Sequence, residues 1–358
     1  MSKRGRGAGV GARLADSARP FVTLGPARRD HLPAGRIALG VAVPLGLLLV
    51  TGHLNLLVYA AFAAFTGIYA RHEPLGTRLR HQLVSAALLL ACLSAGWALA
   101  HSGTGPWGVT LAGAVAAGVG AVLAAALGLR PAGSLFFVFA VTTAAGTPGP
   151  PSFAPALGVA AGSAALSVGL GVLGALFSER ARPDELAAPP PHRLSEEDLA
   201  WHGLRHMVAA GLGGVAGMLV GLGHTPWAMV AAVAPISAQD QKGRVQRAQE
   251  RIVGTLLGVL VAAPLLALGL PVWARVGVVV LLQFLAELYT ARNYSLALLF
   301  VTPLALLLAT LGHPGPAGPL LLARAVETVL GALIGLGVVL LVRSAAERRD
   351  ASTRPAPR

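Results

Sequence analysis

The sequence predicts an all-α polytopic membrane protein of about twelve transmembrane helices, arranged as two parallel six-helix repeats. Three observations carry that prediction. First, 55% of the 358 residues are hydrophobic and 12% are charged, with a mean hydropathy of +0.69, which leaves too little polar surface to cover a water-soluble fold of this length. Second, the hydrophobic residues gather into segments approaching the length of a bilayer crossing. Third, the second half of the chain echoes the first at an ordered series of positions.

In chain order, a basic tail over 1–34 leads into apolar segments at about 35–51, 54–70, 82–101, 107–128, 133–147 and 155–177. A polar linker at 178–203 separates these from a second set at about 204–221, 225–238, 252–268, 272–290, 295–311 and 320–342, and a basic tail over 343–358 closes the chain. Several segments fall short of the roughly twenty residues of a standard span; short spans thin the bilayer or sit inside the bundle. No convincing cleavage site follows the first segment, so it reads as a retained span and not as a signal peptide.

If the segments alternate in direction from a cytoplasmic N-terminus, 26 of the 28 Lys and Arg residues fall on the cytoplasmic side. They occupy the N-terminal tail as far as Arg36, the loop with Arg71, Arg78 and Arg80, Arg130, the linker with Arg205, a cluster at 242–251, Arg292 and the C-terminal tail. The opposite loops, such as "TGH", "HSGTGP", "TPGPPSF" and "HPGPAG", contain none. This is the positive-inside distribution. It accounts for the net charge of +13 without a nucleic-acid partner, and anionic lipid headgroups are the expected contact of the basic tails. Trp97, Trp107, Trp227 and Trp273 fall near outer helix ends, where an interfacial aromatic belt would put them. Arg in great excess over Lys, together with abundant Ala and Gly, is the composition of a high-GC bacterial genome. The expected location is the bacterial cytoplasmic membrane, with both termini cytoplasmic.

Cys92 is the single cysteine, which excludes an intrachain disulfide and a cysteine metal cluster. No GxxxxGK[ST] loop, HExxH helix or GxSxG elbow occurs. Neither an enzyme nor a metal or cofactor is expected.

Sliding the chain along itself by 171 residues superposes Gly46 on Gly217, Gly52 on Gly223, His53 on His224, Ala60 on Ala231 and Arg80 on Arg251. With ten residues fewer, "SLFFVFAV" at Ser134 overlays "SLALLFVT" at Ser295. An even number of spans per half sends both halves into the membrane in the same direction, related by a pseudo-twofold axis along its normal. Pro189, Pro190 and Pro191 stiffen the linker, and Ser195 with Asp198 has the pattern of a helix N-cap.

Charge within so apolar a chain is informative. The stretch "QDQKGRVQRAQERIVGTLLG" at 239–258 puts Arg244, Arg247 and Arg251 on one helical face. Two readings stand: topological anchoring with lipid contact, or a basic vestibule that concentrates an anion at the inner mouth, with Arg78 and Arg80 as its pseudo-symmetric counterpart. Gly254 and Gly258, Gly158 and Gly162, and Gly331 and Gly335 have the spacing that admits a neighbouring helix at close range. Within spans, a charge costs about 2.5–3.5 kcal/mol at a helix centre, so Arg275, Glu287, Arg324 and Glu327 are candidates for a transport path. For Arg275 and Arg324 the competing reading is snorkelling. Glu287 with Arg292 and Arg324 with Glu327 can instead neutralise one another. Thr302-Pro303 loosens the eleventh span where carbonyls could face a cavity, and Gln283 lies one turn before Glu287. His53, His101, His224 and His313 fall in outer loops, as solvated residues or as sensors of external pH.

The order "LRHMVAAGLGGVAGMLVGLGHTPWAMVAAVAPISAQDQKGRVQRAQERIVGTLLGVLVA", then "RNYSLALLFVTPLALLL", resembles the fusaric acid resistance (FUSC) family, which includes bacterial aromatic acid exporters and is similar to aluminium-activated malate channels. The resemblance covers about 200–342; over 35–177 only "RLRHQLVSAALL" echoes it. It implies export of organic anions, typically aromatic carboxylates. The Arg cluster, Arg275, Arg324 and Thr302 would then meet substrate, and Glu287 or Glu327 would couple protons. Many exporters of that family carry a large soluble cytoplasmic domain that this sequence does not show, so docking to an adaptor protein stays open, as does homo-oligomerisation. A passive anion channel and a non-transporting membrane scaffold are the alternatives.

Overall fold

In a medium without water each Ala-, Gly- and Leu-rich segment must satisfy its own backbone, and helices are the result. The computed structural model of the chain describes residues 21, 23–27, 29–179, 194–238, 241–312 and 315–342. The basic N-terminal tail up to Arg19, the proline run of the linker, Gln239, Asp240, His313 and the C-terminal tail lie outside the described residues.

The first half comprises α1 (His31–Thr51), α2 (Leu57–Ala64), α3 (Leu75–His101), α4 (Pro106–Leu127), α5 (Leu135–Ala145) and α6 (Phe153–Leu173). The second comprises α7 (Glu196–Val220), α8 (Pro226–Val233), α9 (Gln241–Ala267), α10 (Val272–Thr290), α11 (Tyr294–Gly312) and α12 (Ala317–Leu341). No strand occurs among the described residues, so the chain is an all-α polytopic membrane protein. Its lipid-facing sides carry Leu47, Val50, Leu219, Leu260 and Leu341, each more than 60% exposed.

The expectation of twelve spans divides into nine and three. Nine helices among the described residues are long and apolar enough to cross a membrane, whereas 54–68, 135–145 and 225–237 are shorter. The helical part of α8, eight residues, rises only about 12 Å against a hydrocarbon core of about 30 Å. Both α2 and α8 are buried along essentially their whole length and run into a 3₁₀ turn, at Phe65–Ile68 and Pro235–Ser237. Their sequences, "LVYAAFAA" and "PWAMVAAV", are apolar all round, as fits a helix enclosed by other helices.

Packing repeats between the halves. In the first, α6 packs on α2 and α3, and α5 on α3 and α4; in the second, α12 packs on α8 and α9, and α11 on α9 and α10. The contacts between halves are reciprocal: α4 lies on α7 and α10 on α1, while α5 meets α8 and α11 meets α2. Gly52 and Gly223, superposed by the sequence shift, both adopt left-handed backbone, with φ of 74° and 81°. The main apolar core is shared, since Val279, Leu282, Leu304 and Leu307 of α10 and α11 join Leu45, Leu57, Leu89 and Phe137.

Small residues set the closest crossings. A Cβ on Gly331 or Gly335 would strike the carbonyls of Ala228 and Ala232, so α12 lies directly against the backbone of α8. Gly254 and Gly258 let α9 approach Ser295, Leu298 and Thr302 of α11. The expectation for Gly158 and Gly162 is corrected: both are exposed with nothing within 4 Å, because α6 turns the opposite face, with Ala156, Ala160 and Ser163, into the bundle.

The capping pattern before α7 is realised, with Ser195 Oγ accepting from the Asp198 N–H at 3.1 Å. The helix begins at Glu196, earlier than the composition suggested, so Arg205 lies within it and donates to the carbonyl of Val342 at 2.7 Å.

Candidate functional site

Enclosing α2, α5, α8 and α11 at the centre of the bundle leaves a cavity of about 590 Å³ between them. Its wall extends from Pro148, His224 and Pro316 in the loops at one end to Ile68, Pro131 and Ser237 at the other, where α9 begins and the basic loop residues gather. Along most of its length the wall is apolar and aromatic. Phe62 stands edge-on to Phe65 and Phe139, at centroid distances of 5.4 and 4.9 Å.

At the basic end α9 carries two guanidiniums into the wall. Arg251 is 3% exposed and donates from Nη1 to the phenol oxygen of Tyr294 at 3.1 Å, while its Nε has no hydrogen-bond partner. The Cζ of Arg247 lies 3.6 Å from the centroid of the Tyr294 ring. Tyr294, at the start of α11, therefore engages both cations, one through its hydroxyl and one through its π face. Arg244, on the same helical face one turn earlier, is drawn to the carbonyl of Ala238 at 3.0 Å and does not reach the cavity. Glu250 accepts from Gln246 at 2.7 Å.

The carboxylate in this wall is Glu287 of α10. Its expected neutralisation by Arg292 does not form: Arg292 donates to the carbonyl of Gly25, and Glu287 pairs across the halves with Arg71, Nη1 to Oε2 at 3.1 Å. Arg71 also donates from Nη2 to the Glu287 carbonyl at 3.1 Å, and Gln283 donates to Oε1 at 3.2 Å.

Nearer the other end, α12 presents Arg324, 1% exposed, to the cavity. Its Cζ is 5.2 Å from the ring centroid of Trp227, and its Nε and Nη1 have no hydrogen-bond partner. Arg324 and Glu327 act on each other's charge without closing an ion pair; Glu327 Oε1 accepts the backbone N–H of His224 at 3.1 Å. Trp227 thus belongs to the cavity wall and not to an interfacial belt, while Trp107 and Trp273 are 67% and 70% exposed as a belt requires.

Besides Arg244 and Glu327, four expected site residues stand outside the cavity wall. Arg78 is wholly buried in a network of its own: Glu179 binds both Arg78 Nη1 and Arg36 Nε at 2.8 Å, and Arg78 also donates to the carbonyls of Glu73, Arg71 and Gly171. Arg80 is exposed beside His81. They do not mirror the Arg247 and Arg251 pair, because the carboxylate of Glu179 holds the first-half cation at the α1, α3 and α6 junction. Arg275 is half-buried and donates to the carbonyl of Thr310 at 3.5 Å, outside the cavity. Thr302 is buried against Gly258 of α9, so Val301 and Leu304 form the wall at that level. Three contributors escaped the sequence reading: Tyr294, Trp227 as a wall residue, and Arg71. The Tyr-Ser element before "LALLF" and the basic residue just after the second apolar segment were the signals present.

These features define a class, a multi-pass helical membrane protein with a cation-lined apolar cavity along the junction of two similar halves. Residues 209–338 match the family described as Fusaric acid resistance protein-like, a family of membrane transporters, which confirms the resemblance over the second half. The chain is similar to the "Uncharacterized membrane protein YvaC" of Bacillus subtilis (strain 168), with 31% identity over 131 residues, 36% of this chain. It spans 21% of that relative's length. No solved structure matches.

Proposed function

We propose that the protein exports amphipathic organic anions, aromatic acids in particular, across the bacterial cytoplasmic membrane, with its basic end and both termini in the cytoplasm. The observation that carries this reading is the cavity itself: about 590 Å³ of aromatic and aliphatic wall, the size of a small-molecule site, with Arg247 and Arg251 at the basic end. A guanidinium in an apolar cavity favours a ligand that brings its own negative charge and an apolar body. Arg251 keeps an unsatisfied Nε, and Tyr294 engages both cations, one through its hydroxyl and one through its ring face. The match to the transporter family over 209–338 supports the same class of function.

On this reading the cytoplasmic Arg residues gather the anion, the aromatic wall receives its ring, and Glu287 is the carboxylate that couples a proton. Glu287 suits that role better than Glu327 because it lines the cavity and its partner Arg71 comes from the other half. A passive channel is the second reading, favoured by a cavity wall that includes loop residues of both ends.

The test is uptake of radiolabelled benzoate into inverted vesicles or proteoliposomes, with and without an imposed proton gradient. Gradient-driven accumulation is expected for the wild type, downhill exchange without accumulation for Glu287→Gln, and roughly tenfold slower uptake for Arg247→Gln with Arg251→Gln at normal abundance. Uptake that only equilibrates makes the protein a channel. Absence of flux across a panel of aromatic and aliphatic carboxylates refutes both readings.

A further inference from the structure

Arg324 poses a problem that the basic end of the cavity does not solve. A buried guanidinium normally has a carboxylate or several carbonyls around it. Arg324 is 1% exposed, yet its Nε and Nη1 find no partner. The carboxylate best situated to neutralise it, Glu327 one turn along α12, turns Oε1 to the backbone N–H of His224, and its Oε2, also without a partner, forms no ion pair with Arg324. His224 in turn stacks on Trp227 at a centroid distance of 4.6 Å, so the loop between α7 and α8 is held against the same spot. Arg251 adds positive charge near Arg324, while Tyr294 and Glu327 act in the opposite sense without hydrogen-bonding to its Nε or Nη1. Two unsatisfied N–H groups, an indole ring and an open cavity therefore converge.

We infer that Arg324 and Trp227 form a second carboxylate subsite, on the His224 side of the cavity from Arg251 and Tyr294, which takes the anionic group of an aromatic acid. The inference rests on the reading of the cavity as an organic-anion path and adds to it a second station. The carboxylate receives hydrogen bonds from Nε and Nη1, the two atoms left without partners, beside the indole of Trp227, which already engages His224 and the guanidinium and borders the site. Glu327 positions the His224 loop over the subsite without occupying the guanidinium.

Trp227 makes the subsite observable without transport. A full-length variant with Trp97, Trp107, Trp201 and Trp273 changed to Phe keeps Trp227 as its only tryptophan. Titrating it in nanodiscs with benzoate should change the indole fluorescence saturably, while neutral benzamide, of nearly the same shape, should act at least about tenfold more weakly. Arg324→Gln should weaken the benzoate response by about tenfold or more, and Arg324→Lys should retain part of it. Equal responses to benzoate and benzamide, or a response indifferent to Arg324→Gln, would overturn the subsite. If the Arg324 variant fails to fold, the same comparison on Arg247→Gln with Arg251→Gln decides the matter: a benzoate preference that persists there keeps the subsite, and one that disappears overturns it. Benzoate flux measured on the same preparation separates the two claims. Flux without a Trp227 response removes the subsite and leaves the transporter. A charge-dependent response without flux keeps the subsite and removes the transporter, and the absence of both removes both.

Discussion

Replacing Arg71 by Met removes the cation that joins the two halves at the basic end of the cavity. Arg71 donates twice to Glu287, to Oε2 and to the carbonyl, each at 3.1 Å, and the two side chains are 12% and 7% exposed. Glu287 would keep only the Gln283 amide at 3.2 Å. Stranding a buried carboxylate costs about 3–5 kcal/mol, and the slight exposure of this pair puts the expected loss near 3 kcal/mol. Glu287→Leu leaves a cation that can turn toward water, for about 2 kcal/mol, and the double variant, with no charge left to strand, should also lose about 2 kcal/mol. The coupling is then about 3 kcal/mol. Unfolding of the four proteins in dodecyl maltoside with increasing sodium dodecyl sulfate measures it. A double variant that loses about 5 kcal/mol, the sum of the single changes, would refute the ion pair as a link between the halves.

The glycines give a contrast within one motif. Gly331→Ala and Gly335→Ala should each lower stability by about 2–3 kcal/mol, because the new Cβ meets carbonyls of α8 that cannot step aside, whereas Gly158→Ala and Gly162→Ala should be neutral or stabilising by up to about 1 kcal/mol; thermal unfolding of purified protein distinguishes them. Ser195→Ala removes the acceptor for the Asp198 N–H and should cost about 1 kcal/mol, read as faster amide exchange in the first turn of α7. Tyr294→Phe keeps the ring beneath Arg247 but deprives Arg251 of its phenol oxygen, so benzoate uptake should fall less than in Arg251→Gln. Equal losses would deny the guanidinium a role of its own.

Much of the architecture was legible because lipid imposes periodic and compositional rules that act on short stretches of chain. Apolar length, the positions of Lys and Arg, and the echo of Gly52, His53 and Arg80 in Gly223, His224 and Arg251 each survive in one dimension. Glu287 and Arg324 were legible as site candidates for a related reason, that charge in a span is expensive wherever it points, and Arg247 and Arg251 by their shared face in the basic cluster. Direction was not legible. Gly158 and Gly331 sit in the same motif, and only the rotation of α6 and α12 about their axes turns one outward and the other against α8. Trp227 reads as a belt residue by position, but α8 is too short to reach both surfaces and is enclosed, which puts the indole in the cavity wall.

The sequence by itself determined that the protein is helical, that it inhabits a membrane, that its second half is FUSC-like, and which rare charges lie among its spans. Only the tertiary structure decided which charges meet. Glu287 joins Arg71 across 216 residues of chain, Glu179 gathers Arg36 and Arg78, and Arg324 is left facing the cavity. The physical reason is that the cost of burying a charge is local to its residue, whereas its compensation depends on whichever group the packing of other helices brings within about 3 Å.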